Sequence, residues 1–292
     1  MLLSILVPSF NHGRYIAATL DSCLAQSYRP IEIMVADGAS RDATVPILED
    51  YASRYPEVRW ISEPDAGPAD AVNKALKLAR GEVAAIQSSD DLYTPGAFEP
   101  VMRVFRERRD CGLVIGDYQG IDEAGTVLYT EKMPDFSWEA YFARSFAIPQ
   151  SSIFFRTTLG REVGGWNARY YSPDMEFWMR LMLRTQVQHL PRVLSQWRIY
   201  AGQRTHSPQA RRRIWDDYQV MVSETPELRA APRRIRRLAA ASADLLALRF
   251  HPTGELASVR RHLLRGFLRH PTFWRHYPWP IRPWLPWPRT AS

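Results

Sequence analysis

Gly81–Asp91 reads GEVAAIQSSDD. Val83, Ala84, Ala85 and Ile86 form a short apolar run of the kind buried on both faces of a sheet. Gln87, Ser88, Ser89, Asp90 and Asp91 end it abruptly, and Pro95 and Gly96 follow. A buried strand that delivers two adjacent carboxylates to its C-terminal end places them where open α/β sheets hold their ligands. Neighbouring carboxylates repel, and a divalent cation relieves that repulsion through hard oxygen ligands. Asp and Ser are also ordinary turn residues, so a plain solvated turn is the competing reading.

Working outward, Leu2–Val7 is a second buried run, broken by Pro8-Ser9-Phe10-Asn11-His12-Gly13. Ile16, Leu20, Cys23 and Leu24 then share one helical face. Ile31–Ala36 is the next strand and ends at Asp37-Gly38-Ala39-Ser40, with Asp42 or Ser40 as cap for a helix through Val45, Leu48 and Tyr51. Val58–Ile61 is a third strand, followed by the loop Ser62–Pro68 and a helix carrying Val72, Leu76 and Ala79. This alternation predicts an α/β fold with a parallel, helix-covered sheet. Four strand ends then share one edge: Ser9/Asn11, Asp37/Gly38, Glu63/Asp65 and Ser88–Asp91. Such a rim is where a nucleotide is expected. Pro8–Gly13 is not a Gly-x-Gly-x-x-Gly cradle and no Walker sequence is present, so a metal on Asp90/Asp91 is the expected means of neutralising phosphates.

Beyond Pro100 the pattern loosens. A helix over Val101–Arg108, a strand over Leu113–Tyr118, a hairpin turn at Asp122–Gly125, a strand over Ser151–Arg156, helices over Thr157–Val163 and Met175–Arg184, and a late strand over Val193–Tyr200 are expected. From Arg211 the chain reads as basic helices, Ile214–Val222, Ile235–Leu248 and Leu256–Leu268. It closes on Phe273–Pro288, in which Trp274, Trp279, Trp284 and Trp287 alternate with Arg275, Arg282 and Arg289.

The 292 residues are 46% hydrophobic and 24% charged, enough for a sizeable core and unlike a disordered chain. The net charge of +7 is uneven: residues 204–292 hold 17 Lys+Arg against 6 Asp+Glu, and residues 1–203 hold 21 against 25. The basic end therefore faces an anionic partner. Its Trp/Arg tail suits an anionic membrane surface or folds back over apolar protein; stacking on nucleic acid uses the same residues and is the less expected partner. Two cysteines make no disulfide framework, the apolar start lacks a basic leader, and no run reaches membrane-spanning length. The expectation is a cytoplasmic protein, peripheral on the membrane at most.

The ordered motifs resemble the inverting GT-A glycosyltransferases of family 2. The matching stretches are Ile5–Asn11, Ser22–Gln26, Glu32–Asp37, Asp37–Thr44, Ser62–Gly67, Asp70–Lys74, Ala79–Glu82 and Ser88–Asp91, then Gly164–Trp166, Asp174–Trp178 and Arg198. The resemblance covers about residues 1–206, with 1–100 as the nucleotide-binding half, 101–206 as the acceptor half, and 207–292 as an appended basic helical region. It implies a Rossmann-like GT-A sheet, a nucleoside-diphosphate sugar (a UDP-sugar foremost), and a sugar transferred with inversion to a hydroxyl of a carbohydrate or lipid-linked acceptor. Pro8, Ser9, Asn11 and Asp37 would line the nucleoside pocket, with Asp65, Ser89 and Asp90 also on the donor. Asp90 and Asp91 would hold Mn²⁺ or Mg²⁺, although Ser88 replaces the first acid of the family's Asp-x-Asp. Asn73 and Lys74 face the diphosphate or lie on the surface. Arg198 and Gln203 would reach the diphosphate, Gln150 and Trp166 the acceptor side, and His206 is either a metal ligand or merely exposed.

An inverting transfer needs a base for the acceptor hydroxyl. Asp174 stands at the family's catalytic position; as a first-turn helix acid it also suits free N–H groups and the helix dipole. Glu176 is the second candidate. Two other functions compete: a non-catalytic sugar- or nucleic-acid-binding protein that keeps the fold, and a nucleotidyltransferase.

Overall fold

The computed structural model describes residues 1–144, 149–205, 207–250, 264, 265 and 268. His206, the tail Phe273–Pro288 and nearly all of the expected helix Leu256–Leu268 lie outside the described residues. The chain divides into two compact units. The first holds 1–134, 148–169 and 177–201; the second holds 135–147, 170–176 and 202–292.

The first unit is a nine-stranded sheet. Its nucleotide-binding half alternates as expected: β1 (Leu3–Ser9), α1 (Ile16–Leu24), β2 (Ile31–Asp37), α2 (Thr44–Arg54), β3 (Val58–Ser62), α3 (Pro68–Leu78) and β4 (Val83–Ile86). These strands lie parallel in the order β3-β2-β1-β4. Every residue of β2 and β4 is buried, because helices cover both faces. Leu3, Ile5, Val7, Ile33, Val35, Val83 and Ala85 face one apolar cluster with Ile16, Leu20 and Cys23 of α1 and Leu48 of α2. Helix α3 packs against β1 and β2 through its own apolar stripe, Val72, Ala75 and Leu76.

The end of the sheet opposite the rim is sealed by Glu32. Its carboxylate accepts from Ser4 Oγ (2.6 Å), Arg80 N (2.5 Å) and Arg80 Nε (2.9 Å). Burial alone would raise its pKa, but those bonds and the Arg80 charge hold it below the usual range. Gly81 turns the chain into β4 there, and a Cβ would stand 2.6 Å from both Leu2 O and Ser4 Oγ, so only glycine fits.

Past β4 the sheet becomes mixed. The chain runs β5 (Leu92–Tyr93), α4 (Phe98–Glu107), β6 (Cys111–Ile121), β7 (Val127–Glu131), a 3-10 turn at Gln150–Ser152, β8 (Ile153–Arg156), α6 (Thr157–Glu162) and β9 (Gln186–Arg198). Strand β8 enters antiparallel between β4 and β6, β9 runs parallel to β6, and β5 and β7 are antiparallel additions. The expected late strand Val193–Tyr200 thus begins seven residues earlier. Two residues of β5 carry too little pattern to be read, and Gln186–Arg192 is too polar and exposed to show the alternation of a strand. Helix α2 is capped at Ala43; Asp42 instead accepts from Thr44 N (2.9 Å) and Gly13 N (2.8 Å).

The second unit is helical: α5 (Trp138–Arg144), α8 (Pro208–Glu224), α9 (Pro226–Ala230) and α10 (Arg233–Phe250). Ser207 caps α8 by accepting from Ala210 N, with Pro208 at the first helical position. Small residues let α10 approach α8, where Tyr218 and Ser242 hydroxyls meet at 2.7 Å. Arg234 pairs with Glu139 of α5. Helix α7 (Pro173–Met182) begins in this unit and continues in the first from Phe177.

Candidate active site

The register of β1, β2 and β3 sets Ser9 opposite Asp37 and Asp37 opposite Ser62 at the C-terminal ends of three adjacent strands. Asp37 is buried and organises this row. One carboxylate oxygen accepts from Ser40 N (2.8 Å) and Ser62 Oγ (2.7 Å), the other from Ser40 Oγ (2.5 Å). Ala39 is held at φ +62° in that turn and Asn11 at φ +52° in the loop after β1. Asn tolerates the left-handed region, whereas Ala39 there stores about 1 kcal/mol of strain. The two loops lock together, since Asn11 Oδ1 accepts from Arg41 N (2.9 Å) and Asn11 N donates to Ser40 Oγ (2.7 Å). Ser9 Oγ is buried with no hydrogen-bond partner among the described residues. A buried hydroxyl left unpaired in such a row calls for an explanation. Phe10, beside it, exposes 59% of its surface.

Asp65 borders the same rim: a Cβ on Gly38 would stand 2.8 Å from its Oδ2. Lys74 is held nearby by Glu63 (2.8 Å) and Asp70 (3.1 Å), which places it on the Ser62–Pro68 loop. Asn73 has a different occupation. Its Nδ2 donates to Trp166 O (2.8 Å) and its Oδ1 accepts from Trp166 N (2.7 Å), so the two ends of its amide clamp the backbone of one residue. That arrangement makes Asn73 the support of Trp166, not a free donor for a diphosphate.

After β4 the two carboxylates part. Asp90 Oδ2 accepts from the Tyr200 hydroxyl at 3.0 Å. Asp91 is turned inward, 2% exposed, and its Oδ1 accepts from Arg198 N at 2.9 Å. Burial first, and the Asp90 charge second, push its pKa well above the carboxylate range; the Arg198 N–H and the Ser88 and Ser151 hydroxyls oppose this. Arg198, expected on the diphosphate, is also buried. Its guanidinium donates to Asp90 O (2.8 Å), Asp122 O (3.1 Å) and Glu123 O (2.7 Å), so it braces the turn that carries Asp90. Ser88 Oγ accepts from Gln150 Nε2 (2.8 Å), and Ser89 Oγ meets His12 Nδ1 (2.5 Å).

His12 and Tyr200 were not legible as site residues. His12 is one residue past Asn11 in the first strand's loop, which was the available signal. Tyr200 announces nothing in sequence, because its partner lies 110 residues away. Burial and the Asp90 charge raise its pKa, so the phenol stays a neutral donor.

Among the described residues no three His, Cys, Asp or Glu side chains converge as a metal-holding group. A Mg²⁺-like ion needs only one or two carboxylates when phosphates complete its shell. Asp90 fits that requirement, whereas the Asp91 carboxyl is buried and engaged by the Arg198 N–H.

In the second unit, Asp174 opens α7 with Glu176 behind it. Asp174 keeps some exposure, whereas Glu176 is buried. Burial raises the Asp174 pKa above the ordinary carboxylate value, while the N–H groups of Met175 and Asp174 and the Arg204 charge pull it back.

Residues 4–175 match the profile of Glycosyl transferase family 2. The Escherichia coli chondroitin synthase is 29% identical over 166 residues, covering 57% of this chain and 23% of that protein. The Streptococcus pneumoniae glycosyltransferase GlyG is 32% identical over 129 residues, covering 44% of this chain and 42% of that one. The chain thus spans about a quarter to two-fifths of these relatives. Among solved structures, Staphylococcus aureus TarS 1–349 in complex with UDP-GlcNAc superposes with a TM-score of 0.69 at 17% identity, covering 92% of this chain and 81% of that one. The mannosyltransferase PcManGT from Pyrobaculum calidifontis, in complex with GDP-Man and Mn²⁺, gives 0.58 at 18%, covering 94% and 82%. These likenesses carry the fold, a helix-covered α/β sheet of GT-A type. The chain belongs to glycosyl transferase family 2.

Proposed function

We propose that the chain transfers a sugar, with inversion, from a nucleoside-diphosphate sugar to a hydroxyl of a carbohydrate or lipid-linked acceptor. The observation that carries this reading is the row Ser9–Asp37–Ser62 with Ser88–Asp90 beside it, closed around an unpaired buried hydroxyl. The complexes of TarS with UDP-GlcNAc and of PcManGT with GDP-Man and Mn²⁺ support a nucleotide-sugar donor.

In this reading Ser9, Asn11 and Asp37 hold the nucleoside, with the exposed Phe10 ring as a stacking face. Ser89 and Asp90 face the diphosphate. A divalent ion, held by Asp90, would supply charge neutralisation to that leaving group. The acceptor oxygen forms a bond to the anomeric carbon as the bond from that carbon to the diphosphate oxygen breaks. Asp174 takes the acceptor proton. A carboxylate whose pKa is raised toward neutrality removes a proton more effectively than an ordinary one.

Among the described residues no helix is long and apolar enough to cross a membrane. Contact with an anionic bilayer therefore rests on the basic, Trp-rich end of the sequence and belongs to this proposal, as does a cytoplasmic location. The test is donor turnover measured over a panel of UDP- and GDP-sugars with Mn²⁺, with Mg²⁺ and with chelator. Release of nucleoside diphosphate, lost in Asp90→Ala, is expected. Release of pyrophosphate would establish a nucleotidyltransferase instead, and no turnover of any donor would favour a binding protein.

A further inference from the structure

Tyr171 gathers four contacts in the second unit. Its N–H donates to Asp217 Oδ2 (2.5 Å) and its hydroxyl to Arg204 O (2.7 Å). The Arg204 guanidinium carbon lies 3.9 Å from its ring centroid and that of Arg213 lies 5.3 Å from it. Two cations on one ring are closer than the ~10 Å screening length of 0.1 M salt, so they repel. Such a pair persists where something else gains from it.

The natural neutralising partner is diverted. Asp217 stands four residues after Arg213 on α8, the spacing at which an acid pairs with a base. Its carboxylate is turned to the Tyr171 N–H instead. Both arginines are exposed, and neither has an ion-pair partner among the described residues. Tyr171 therefore carries two guanidinium forks, neither of them in an ion pair among the described residues. Arginine forks match the oxygen geometry of phosphate and carboxylate.

We propose that Arg204 and Arg213, mounted on Tyr171, form a subsite for an anionic group, phosphate or carboxylate, carried by the acceptor. This rests on the reading of Asp174 as the base. In an in-line displacement the attacking oxygen and the departing diphosphate stand on opposite faces of the anomeric carbon. Tyr171, which carries both arginines, stands three residues before Asp174 in the same unit, and Arg204 acts electrostatically on that carboxyl. A cation within reach of the base is on the attacking side, which assigns the anion to the acceptor and not to the donor.

The experiment uses the full chain saturated with UDP, so that the nucleotide site is filled. Inorganic phosphate and glucuronate are titrated separately by calorimetry, which distinguishes the two sources of negative charge. Saturable binding of at least one is expected. Losing a charge-assisted contact in Arg204→Gln or Arg213→Gln should weaken it about tenfold or more. Arg213→Lys keeps the charge without the fork and should lose less. Binding that UDP abolishes would assign the anion to the donor site and overturn the proposal, as would wild-type affinity in both Gln variants. Asp174→Asn separates the two readings. If it still transfers sugar, the base assignment falls; the arginine variants decide the subsite independently.

Discussion

Replacing Arg198 with alanine distinguishes a brace from a ligand contact. The guanidinium is buried and donates to three backbone carbonyls, at 2.8, 3.1 and 2.7 Å. A hydrogen bond from a charged donor contributes about 1.5–3 kcal/mol. The Asp90 carbonyl lies in a buried turn and should lose that full amount. Asp122 and Glu123 are on the partly exposed hairpin, where water replaces the lost donor, so about 0.5–1 kcal/mol each is appropriate. The packing of the guanidinium on the Tyr15 ring, 5.1 Å from its centroid, adds a further ~0.5–1 kcal/mol. The sum is about 3–6 kcal/mol, a large part of an ordinary stability of about 5–15 kcal/mol. In a chain of this size that lowers the melting temperature by on the order of 10 °C. Melting is followed by circular dichroism, and donor affinity is measured on the same samples below the transition. Arg198→Lys, able to reach one carbonyl, should fall between the two. A melting temperature unchanged within about 2 °C, joined to a donor affinity reduced ~100-fold, would refute the brace and restore Arg198 as a phosphate ligand.

Four other perturbations have defined outcomes. Asp174→Asn should lower transfer by roughly 10²–10⁴-fold while leaving donor affinity in place, measured by single-turnover transfer and nucleotide binding. A parallel fall in affinity would put Asp174 in the nucleotide site. Tyr200→Phe removes the hydroxyl that holds Asp90 and should weaken activation by Mn²⁺ about fivefold, the equivalent of ~1 kcal/mol, with the nucleotide affinity in chelator unchanged. The carboxyl of Asp91 has a folded-state pKa above its unfolded one, so the folded chain binds the extra proton and stability falls as pH rises from the ordinary carboxylate value through the raised one. Asn keeps the oxygen that accepts from Arg198 N, so Asp91→Asn should gain melting temperature over wild type as pH rises above the ordinary carboxylate value of about 3.9. Glu32 has the opposite sign: its lowered pKa gives stability that is lost as pH falls below about 4.3, and Glu32→Gln should flatten that acid limb.

What the sequence by itself determined is the local and periodic part of the molecule. The runs Leu2–Val7, Ile31–Ala36 and Val83–Ile86, alternating with one-faced helices, specify a parallel sheet, because strands buried on both faces are predominantly apolar. The same runs end in Ser9, Asp37 and Ser89, so the rim is legible as soon as the strands are. Element type and edge chemistry follow from patterns a few residues long. What tertiary structure alone decided is which of two similar side chains faces outward and what each one holds. Asp90 and Asp91 are adjacent and chemically identical, yet one meets Tyr200 and the other turns to the Arg198 peptide. Asn73 looks like a free polar residue on a helix until Trp166, 93 positions on, is found between its amide atoms. Tyr171 becomes the mount for two arginines only when α8 returns Arg213 and Asp217 to it. These choices depend on burial and on partners distant in the chain, since a buried polar group must take whichever partner the packed backbone presents, and no periodicity in the sequence records that pairing.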